Sequence, residues 1–498
     1  MNTVLRFFSY VLALFVAFAS GKPIVPRVPV PRYFERSPST PVAISINQVQ
    51  KDLGALISNT SLIFGPGSDA WSDATDRWNF YSKPNISAVV EVGQESDIAK
   101  VPNKKTALLQ GGAYADAILG TLGAEGYTAV LGANGCVGFG GLSLGGGLGR
   151  LQGQYGLVSD NVVSMNVVLA DGSTITVNKQ SYSDLFWAMR GAGHNFGIVT
   201  QFEINIFPQT SATWHYHTYV WTQNKLEAVF KALNNMQGVG KLPAKMGASL
   251  GQISFNTSIS KTEAVIQWTF GYDGSAQEAE KLLAGMNEIK AVVSEQGDVP
   301  YPDLLVAQET DSASASCSSQ PYIGASANLQ TYNVTAQRQL YNLFIKNAAL
   351  EPEIGAVARL YYEGFSSLGS QAIDAASTAY PHREEYLPAY VYLPRPSPPF
   401  EKCQMTNKKS GVYRYFITPV PAGKEAVATA WAYASRDLWN QGQPHRRPTT
   451  YVNFAAGDES LEMIYGYEPW RLQRLRSLKA KYDPNNRFRW YNPIIPPK

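Results

Sequence analysis

The chain has 498 residues, more than one ordinary hydrophobic core accommodates, so we expect two domains or one elaborate α/β body. Hydrophobic residues make up 45% and charged residues 16% of the chain, which excludes intrinsic disorder as its general character. The net charge is only +3 and no Lys/Arg run is present, so we predict no nucleic-acid partner.

The N-terminus has the pattern of an export signal. Arg6 precedes an apolar run over 11–19, and Ala17-Phe18-Ala19 has the small residues of a cleavage site. The run is shorter than the about 20 apolar residues that a membrane span needs. We therefore predict a signal peptide over 1–19, a secreted protein and no stable membrane span, with a membrane anchor as the alternative. The sequons predict N-glycosylation at some of Asn59, Asn85, Asn256 and Asn333.

A Pro-rich leader over 20–44 follows, and a region of short elements occupies 45–208. Its apolar runs between turn signals predict strands over 61–64, 88–92, 162–169, 173–177 and 198–206. Ser181 and Ser183 are capping residues for a predicted helix over 182–190. The mixture indicates an α+β or α/β pattern.

Longer elements characterise the region over 209–449. We predict strands over 214–221, 264–272 and 411–417, and amphipathic helices over 225–236 and 277–286. Their order predicts an open sheet that helices cover on one face. The last region, 450–498, resembles the first, and its helix over 471–481 ends before Asp483-Pro484.

Three generic motifs are weak. The segment Gly65-Pro66-Gly67 fits a dinucleotide-binding turn, but an aromatic, Pro-containing stretch replaces the helix that should follow. The segment Gly141-Leu142-Ser143-Leu144-Gly145 fits a hydrolase nucleophile elbow, but further glycines follow where a helix is required. We predict no metal site, because the five histidines are scattered and no carboxylate lies near His215 and His217 in the sequence.

The strongest signal is glycine. Nine glycines lie between Gly132 and Gly149, and their lack of side chains would let main-chain N–H groups approach a pyrophosphate or a flat ring. The alternative is that these glycines serve tight packing alone and bind no ligand. It does not explain the ordered segments that follow, Gly156 to Asn161, Val167 to Gly172 and Asp184 to Thr200.

That succession resembles the FAD-linked oxidases of the berberine-bridge-enzyme family, within the vanillyl-alcohol-oxidase (PCMH-type) fold group. Arg77-Trp78-Asn79, the Tyr451-Val452-Asn453-Phe454 element and the segment Lys481 to Phe488 carry the same resemblance. It implies an α+β protein with a two-lobed FAD-binding domain built from 45–208 and 450–498. A substrate domain over 209–449, an antiparallel sheet covered by helices, is inserted between them.

The resemblance also implies which residues contact FAD. They are Asn134, Cys136, Val137, Gly138, Gly141, Gly145, Gly146, Gly147, Gly197, Ile198, Val199 and Asn453. The family often attaches its flavin through a histidine and a cysteine, but the segment of several dozen residues that carries the histidine is missing after Val101. The first histidine in the sequence is His194. We therefore predict non-covalent FAD, with a Cys136–flavin bond less expected than a small buried thiol, while Cys317 is free to pair with Cys403.

Oxidation by FAD requires a base for the substrate proton while a hydride leaves for the flavin. Tyr451 is our first candidate, activated by a cation such as Arg383, Arg436 or Arg446; a core tyrosine is the alternative. His382 is the second candidate, with a surface loop histidine as the alternative. The resulting hypothesis is an FAD-dependent oxidase of a small organic substrate, such as a secondary metabolite, with O2 as final acceptor. A flavin-poor, non-catalytic relative and a secreted carbohydrate oxidase remain open.

Overall fold

The computed structural model describes residues 46–53, 62–68, 71, 89–91, 98–100, 105–237, 242–317, 322–384, 387–394 and 423–496. The strands in these ranges are β1 (Leu62–Phe64), β2 (Val89–Glu91), β3 (Ile98–Lys100), β4 (Thr106–Gln110), β5 (Tyr127–Thr128), β6 (Val162–Val168), β7 (Thr174–Asn178), β8 (Ile198–Asn205), β9 (Phe207–Pro208), β10 (Trp214–Trp221), β11 (Met246–Phe255), β12 (Ala264–Tyr272), β13 (Val293–Val299), β14 (Tyr322–Leu329), β15 (Arg359–Gly364) and β16 (Leu387–Pro394). The α-helices are α1 (Ile46–Leu53), α2 (Ala115–Ala124), α3 (Phe139–Leu144), α4 (Gln152–Tyr155), α5 (Ser183–Ala192), α6 (Leu226–Gln237), α7 (Ala276–Leu282), α8 (Ala284–Asn287), α9 (Tyr301–Ala307), α10 (Val334–Leu350), α11 (Pro352–Gly355), α12 (Leu368–Gln371), α13 (Glu425–Gln441), α14 (Leu461–Tyr465) and α15 (Pro469–Tyr482). None of the helices in this described part of the chain combines the length and hydropathy that crossing a bilayer requires.

The first unit is built around a five-stranded antiparallel sheet in the order β3-β4-β8-β6-β7. Strand β8 alternates buried residues such as Val199, Phe202 and Ile204 with more exposed ones, so one face of the sheet is committed to a core. That core also receives side chains from both ends of the described chain, because Leu109 packs in the same cluster as Leu475.

The C-terminal helix α15 is fixed to the first unit by a buried charge. Lys479 Nζ donates to the carbonyl of Asn195 at 2.7 Å and pairs with Asp483 at 2.6 Å. Asn195 Oδ1 in turn accepts from the N–H of Ile494 at 2.9 Å. A buried ammonium requires such partners, so these bonds hold the last residues against the segment before β8.

The second unit contains a seven-stranded antiparallel sheet in the order β13-β10-β12-β11-β15-β16-β14. One face packs against α6, α10 and α13 in a core that includes Trp221, Trp268, Phe344 and Trp439. Because side chains alternate along a strand, the opposite face carries the other residues of each strand. On β15 and β16 that face carries Tyr361 and Tyr390, and the ring of Tyr390 lies 4.8 Å from Phe454 of the first unit.

Most of the predicted elements are confirmed, some to the residue. Strands over 214–221 and 264–272 have the predicted bounds, and the helix predicted over 225–236 is displaced by one residue at each end. The helix predicted over 277–286 divides into α7 and α8 at Leu283. The predicted strand over 411–417 lies outside the described residues.

Of the predicted glycosylation sites, two lie within the described residues. Asn256 follows β11 in a loop, where its Oδ1 accepts from the N–H of Ser258. Asn333 caps α10 through a bond from the N–H of Ala336. Asn59 and Asn85 lie outside the described residues.

A buried arginine joins the two units. Arg150, in the glycine-rich segment, donates to the carbonyl of Ala133 at 3.0 Å and to the hydroxyl of Thr310 at 3.1 Å, and it also bonds to Gln308. Thr310 in addition accepts from the N–H of Gly135 at 2.7 Å. The glycine-rich segment is therefore held directly against the second unit.

Candidate active site

Three glycines form an open surface at the start of α3. Gly138 precedes this helix and forms an isolated antiparallel bridge with Tyr114. A Cβ built on Gly112, Gly138 or Gly141 would meet no atom within 4 Å. We call Gly112, Gly138 and Gly141 the glycine strip; it offers bare main chain to a flat or charged ligand.

The strip adjoins the start of β8. A Cβ on Gly111 would lie 2.2 Å from the carbonyl oxygen of Val199, and one on Gly140 would lie 2.8 Å from that of Gly111. Ile198, the residue before Val199, is 60% exposed. Three predicted cofactor residues, Gly138, Gly141 and Ile198, thus lie open, and the buried Val199 contacts Gly111 through its carbonyl.

The remaining residues of the predicted set have other surroundings. Gly197 packs against Val167, with a built Cβ only 2.5 Å from Val167 Cγ1. Val137 and Asn134 form the turn before the strip, with the N–H of Val137 donating to the carbonyl of Asn134 at 3.2 Å.

The later glycines of the run face protein side chains. A Cβ on Gly145 would lie 2.0 Å from Asn453 Oδ1, and one on Gly146 would lie 2.4 Å from the ring of Tyr380. The N–H groups of Gly146 and Gly147 donate to Ser143 O at 3.1 Å and to the hydroxyl of Tyr451 at 3.2 Å. In this conformation these two donors are used within the protein, and the predicted pyrophosphate cradle does not extend to them.

Tyr451 is a buried anchor. Its hydroxyl accepts from the N–H of Gly147, from the N–H of Leu148 at 3.4 Å and from Asn453 Nδ2 at 2.7 Å. Burial raises the pKa of Tyr451 above its ordinary value, although these bonds act in the opposite direction. Since a base would have to be the phenolate, this environment favours a neutral, positioning tyrosine.

The cations predicted to activate Tyr451 have other partners. Arg383 forms a buried bidentate pair with Asp160, at 2.8 and 2.7 Å. Arg436 pairs with Asp458 at 2.9 Å. These bonds commit both guanidinium groups to carboxylates.

The interpretation of His382 as a surface loop histidine is wrong. The residue is buried, and its Nε2 lies 2.9 Å from the carbonyl oxygen of Ile464 in α14. Its ring also meets Tyr380 edge to face at 5.8 Å. His382 therefore connects a loop to α14, and its role as a proton acceptor stays a prediction.

The cysteine predictions are also wrong. Cys136 forms a disulfide with Cys317, across 181 residues of sequence. Cys136 is therefore neither a thiol beside the flavin nor a thiolate that could bond to it, and Cys317 does not pair with Cys403, which lies outside the described residues. Three cysteines allow three pairings, and sequence alone does not select among them.

The generic serine motif has no catalytic geometry. Ser143 lies inside α3 rather than at a strand-to-helix turn, and its buried hydroxyl donates to the carbonyl of Gly140 at 3.2 Å. This excludes the exposed nucleophile that the hydrolase elbow requires.

The prediction that His215 and His217 lack a carboxylate is wrong as well. Glu280 Oε1 lies 2.9 Å from His215 Nε2 and 2.7 Å from His217 Nδ1. The carboxylate comes from α7, 63 and 65 residues later in the chain, which is why the sequence did not indicate it.

A carboxylate on the polar face of the seven-stranded sheet escaped the sequence analysis. Glu363 shares one face of β15 with Tyr361 and Arg359. These residues alternate with Leu360 and Tyr362, which point into the helix-covered core. The hydroxyl of Tyr390 donates to Glu363 Oε1 at 3.4 Å. In the sequence, the one signal for this carboxylate was the single acid in the alternating pattern of β15.

Aromatic rings connect Glu363 to Tyr451. Tyr390 stacks with Tyr361 at 5.1 Å and lies 4.8 Å from Phe454, which meets Tyr451 at 5.1 Å. Burial raises the pKa of Glu363 to about 7, while the bond from Tyr390 lowers it. A carboxyl with a pKa near neutrality can take up and release a proton under ordinary conditions.

Two segments of the chain match models of known protein families. Residues 83–178 match the family model of the FAD binding domain, and residues 450–495 match that of "Berberine and berberine like" proteins. FAD-linked oxidoreductase anuG of Penicillium roqueforti is 42% identical, over 90% of this chain and 92% of its own. The chain is a berberine-type FAD-linked oxidoreductase.

Two further comparisons support the family and the fold. FAD-linked oxidoreductase iacH of Pestalotiopsis fici is 41% identical over 98% of both chains. The solved structure of Physcomitrella patens BBE-like 1 covers 91% of this chain and 100% of its own, with a TM-score of 0.71 at 19% identity. The α+β, PCMH-type FAD oxidase fold is therefore confirmed.

The alignment with iacH is longer than the part of this chain that it covers. It extends over 536 positions, whereas 98% of a 498-residue chain is about 488 residues, so about 48 positions have no residue here. The alignment with anuG extends over 493 positions, whereas 90% of this chain is about 448 residues, so about 45 positions have no residue here. This berberine-type oxidoreductase thus lacks several dozen residues that its relatives possess.

The residues present fit part of an FAD molecule. The glycine strip and Ile198 provide an open, side-chain-poor surface, while Tyr451 and Asn453 border the later glycines. Glu363 and Tyr390 lie beyond them on the second unit. The first unit therefore presents an open, glycine-lined surface that fits part of the family's cofactor.

Proposed function

We propose that the protein is a secreted FAD-dependent oxidase that removes a hydride equivalent from a small organic molecule and passes the electrons to O2. The observation that carries this proposal is the Glu363–Tyr390 pair, beside the aromatic contact between Phe454 and Tyr451. Bound FAD would supply the hydride acceptor. The protein has to hold the donor molecule and accept its proton.

Glu363 is our candidate for the proton acceptor. A general base works best with a pKa near the working pH, and burial places the pKa of Glu363 at about 7. Tyr390 orients the carboxylate through its hydroxyl. Tyr361, Tyr390 and Phe454 present rings on the same side, which favours a flat, aromatic substrate such as a secondary metabolite.

Substitution of Glu363 tests this role. In Glu363→Gln, we expect kcat to fall by about 10²–10⁴, the usual contribution of a positioned base. The decline of wild-type kcat/KM below about pH 7 should also disappear. H2O2 release from a panel of aromatic alcohols, amines and oligosaccharides measures kcat and the pH dependence of kcat/KM. Glu288→Gln, at an exposed helix end, is the matched control. An unchanged pH profile in Glu363→Gln would exclude Glu363 as the base, and turnover of oligosaccharides alone would favour a carbohydrate oxidase.

We propose that FAD is held without a covalent bond. Cys136 is committed to Cys317, and His194 is hydrogen-bonded to the hydroxyl of Tyr465 at 3.0 Å within the C-terminal part of the first unit. The missing residues would also remove N–H donors to the pyrophosphate. Charge-assisted hydrogen bonds contribute about 1.5–3 kcal/mol each, so loss of two weakens binding by about two to four powers of ten.

The flavin itself provides the assay. Purified protein should show the flavin absorption bands, lose them on dialysis or acid precipitation, and regain them when FAD is added. We expect Gly141→Ala to weaken FAD binding at least about tenfold, or about 1.4 kcal/mol, because its Cβ would occupy the strip. Gly120→Ala, on an exposed part of α2 with no atom near its Cβ, is the matched control. Protein that neither contains nor binds FAD would support the flavin-poor relative instead.

The position of the missing residues can be tested directly. Sequencing the transcript across the codons for Val101 and Pro102 shows whether an additional segment is encoded there. A segment with a histidine would restore the family's usual attachment, and stoichiometric FAD retained through dialysis without one would contradict our account of weak binding.

Export to an oxidising compartment accounts for three features. The N-terminal apolar run over 11–19, the four sequons and the Cys136–Cys317 disulfide all suit a secreted glycoprotein. Secreted material should begin near Ser20 and lose mass on deglycosylation. An intact Met1 in that material would contradict the proposed signal peptide.

A further inference from the structure

Two histidines and a glutamate converge at one edge of the seven-stranded sheet. His215 and His217 are two residues apart on β10, so their imidazoles project from the same face, and each is only 2% exposed. Glu280 reaches them from α7, and one ligand atom from each of the three residues lies within 4.8 Å of the others. Tyr219 continues this row into the helix-covered core, so the cluster is on the face opposite Glu363.

Neighbouring side chains orient both histidines. Asp298 Oδ1 lies 2.9 Å from His215 Nδ1, and Ser294 Oγ lies 2.8 Å from His217 Nε2. Both partners belong to β13, the edge strand that pairs with β10. With one nitrogen of each ring held in this way, the other nitrogen points to the same place, next to Glu280 Oε1.

We propose that His215, His217 and Glu280 bind one divalent transition-metal ion of the zinc class. Two imidazoles and one carboxylate form a known three-ligand set for Zn²⁺, which takes water as the fourth ligand. Imidazole nitrogen favours such ions over Ca²⁺ and Mg²⁺, which prefer oxygen ligands. The outer bonds from Asp298 and Ser294 are of the kind that fixes metal-binding histidines.

The geometry requires a small adjustment. Metal–ligand bonds of about 2.1 Å in a tetrahedron separate the ligand atoms by about 3.4 Å. Glu280 Oε1 lies 2.9 and 2.7 Å from the two imidazole nitrogens, so its carboxylate has to retreat by about 0.6 Å. The hydroxyl of Tyr219, 2.8 Å from His217 Nδ1, has to move away too and keep its bond to Asn287. The Glu280 side chain is 26% exposed, which gives it room to move and gives the ion a path from solvent.

The ion would join α7 to β10 and so stabilise the second unit. This role is separate from substrate oxidation, because Glu363 lies on the other face of the sheet. The measurable consequence is a metal-dependent rise in thermal stability of the full chain, whether or not FAD is bound.

The test uses the full chain, stripped with a chelator and then given ZnCl2. After dialysis, metal analysis should find one Zn²⁺ per chain, and the thermal midpoint should rise with Zn²⁺ concentration. In Asp298→Asn, Zn²⁺ affinity should fall by about 10- to 100-fold, as when other outer partners are lost. In Glu280→Gln, which keeps a hydrogen-bond acceptor but loses the anionic ligand, the loss should be larger. His445→Ala, at an exposed histidine elsewhere, should bind Zn²⁺ like the wild type.

Two results would overturn the proposal: wild-type protein without stoichiometric Zn²⁺, or Glu280→Gln with wild-type affinity. If Glu280→Gln does not fold, X-ray absorption spectroscopy of the zinc-loaded wild type decides instead. Two imidazole nitrogens and a carboxylate oxygen around the ion would support the site, and any other protein ligand set would refute it.

Discussion

Removal of the disulfide gives the sharpest test of how the two units are joined. The double substitution Cys136→Ser/Cys317→Ser opens a loop of 181 residues. The chain-entropy relation assigns about 5 kcal/mol to a loop of this length, and removal of native disulfides typically costs about 2–5 kcal/mol. Thr310 still accepts from Arg150 and Gly135 in the variant, so we expect the folded contact to persist at a lower free energy of unfolding.

Denaturant unfolding with and without reductant measures this loss. Reductant should lower the unfolding midpoint of the wild type but leave the double variant unchanged. Thiol titration of unfolded, unreduced protein should find one free thiol, on Cys403. Cys403→Ser is the matched control, with wild-type stability and no free thiol. A Cys403→Ser variant as unstable as the double variant would refute the pairing.

Three further outcomes follow from buried groups. Tyr451→Phe leaves buried N–H donors without their acceptor and should lower the free energy of unfolding by about 1–3 kcal/mol, measured in denaturant; an unchanged value would mean that water replaces the hydroxyl. Asp160→Asn leaves the buried charge of Arg383 unpaired and should cost about 3–5 kcal/mol, so a loss below 1 kcal/mol would contradict a buried pair. Burial, assisted by Lys479, lowers the pKa of His194 to about 4 in the folded protein. As the pH falls, His194 is therefore protonated in the unfolded chain before it is protonated in the folded protein, which favours unfolding. Relative to His194→Gln, the wild type should lose up to about 3 kcal/mol between about pH 6.5 and pH 4, and parallel pH curves would refute this.

Local patterns predicted the elements well, because helix and strand periods are local properties. The strand over 214–221 is correct to the residue, since its bulky and β-branched residues lie between turn signals. The glycine run likewise indicated a cofactor surface, and Gly138 and Gly141 do lie open.

Contacts between distant segments could not be predicted in this way. The partner of Cys136 is fixed by how the loop after α9 packs on the first unit, which no local period reports. Glu280 meets His215 and His217 only because α7 lies over β10. Glu363 has an unremarkable sequence context, and only the assembled sheet brings it beside Tyr390.

The bond between Lys479 and Asn195 constrains when the protein can finish folding. The two residues are 284 positions apart, and ribosomes add about 5–20 residues per second. Asn195 therefore emerges about 15 to 60 s before the ammonium group that will satisfy its carbonyl. During that interval the core of the first unit is incomplete because its C-terminal residues have not been synthesised, whereas the sheet of the second unit can already assemble. The unit that appears first in the chain is thus the last to be completed, and a polypeptide released early would have the later domain without a finished FAD-binding partner.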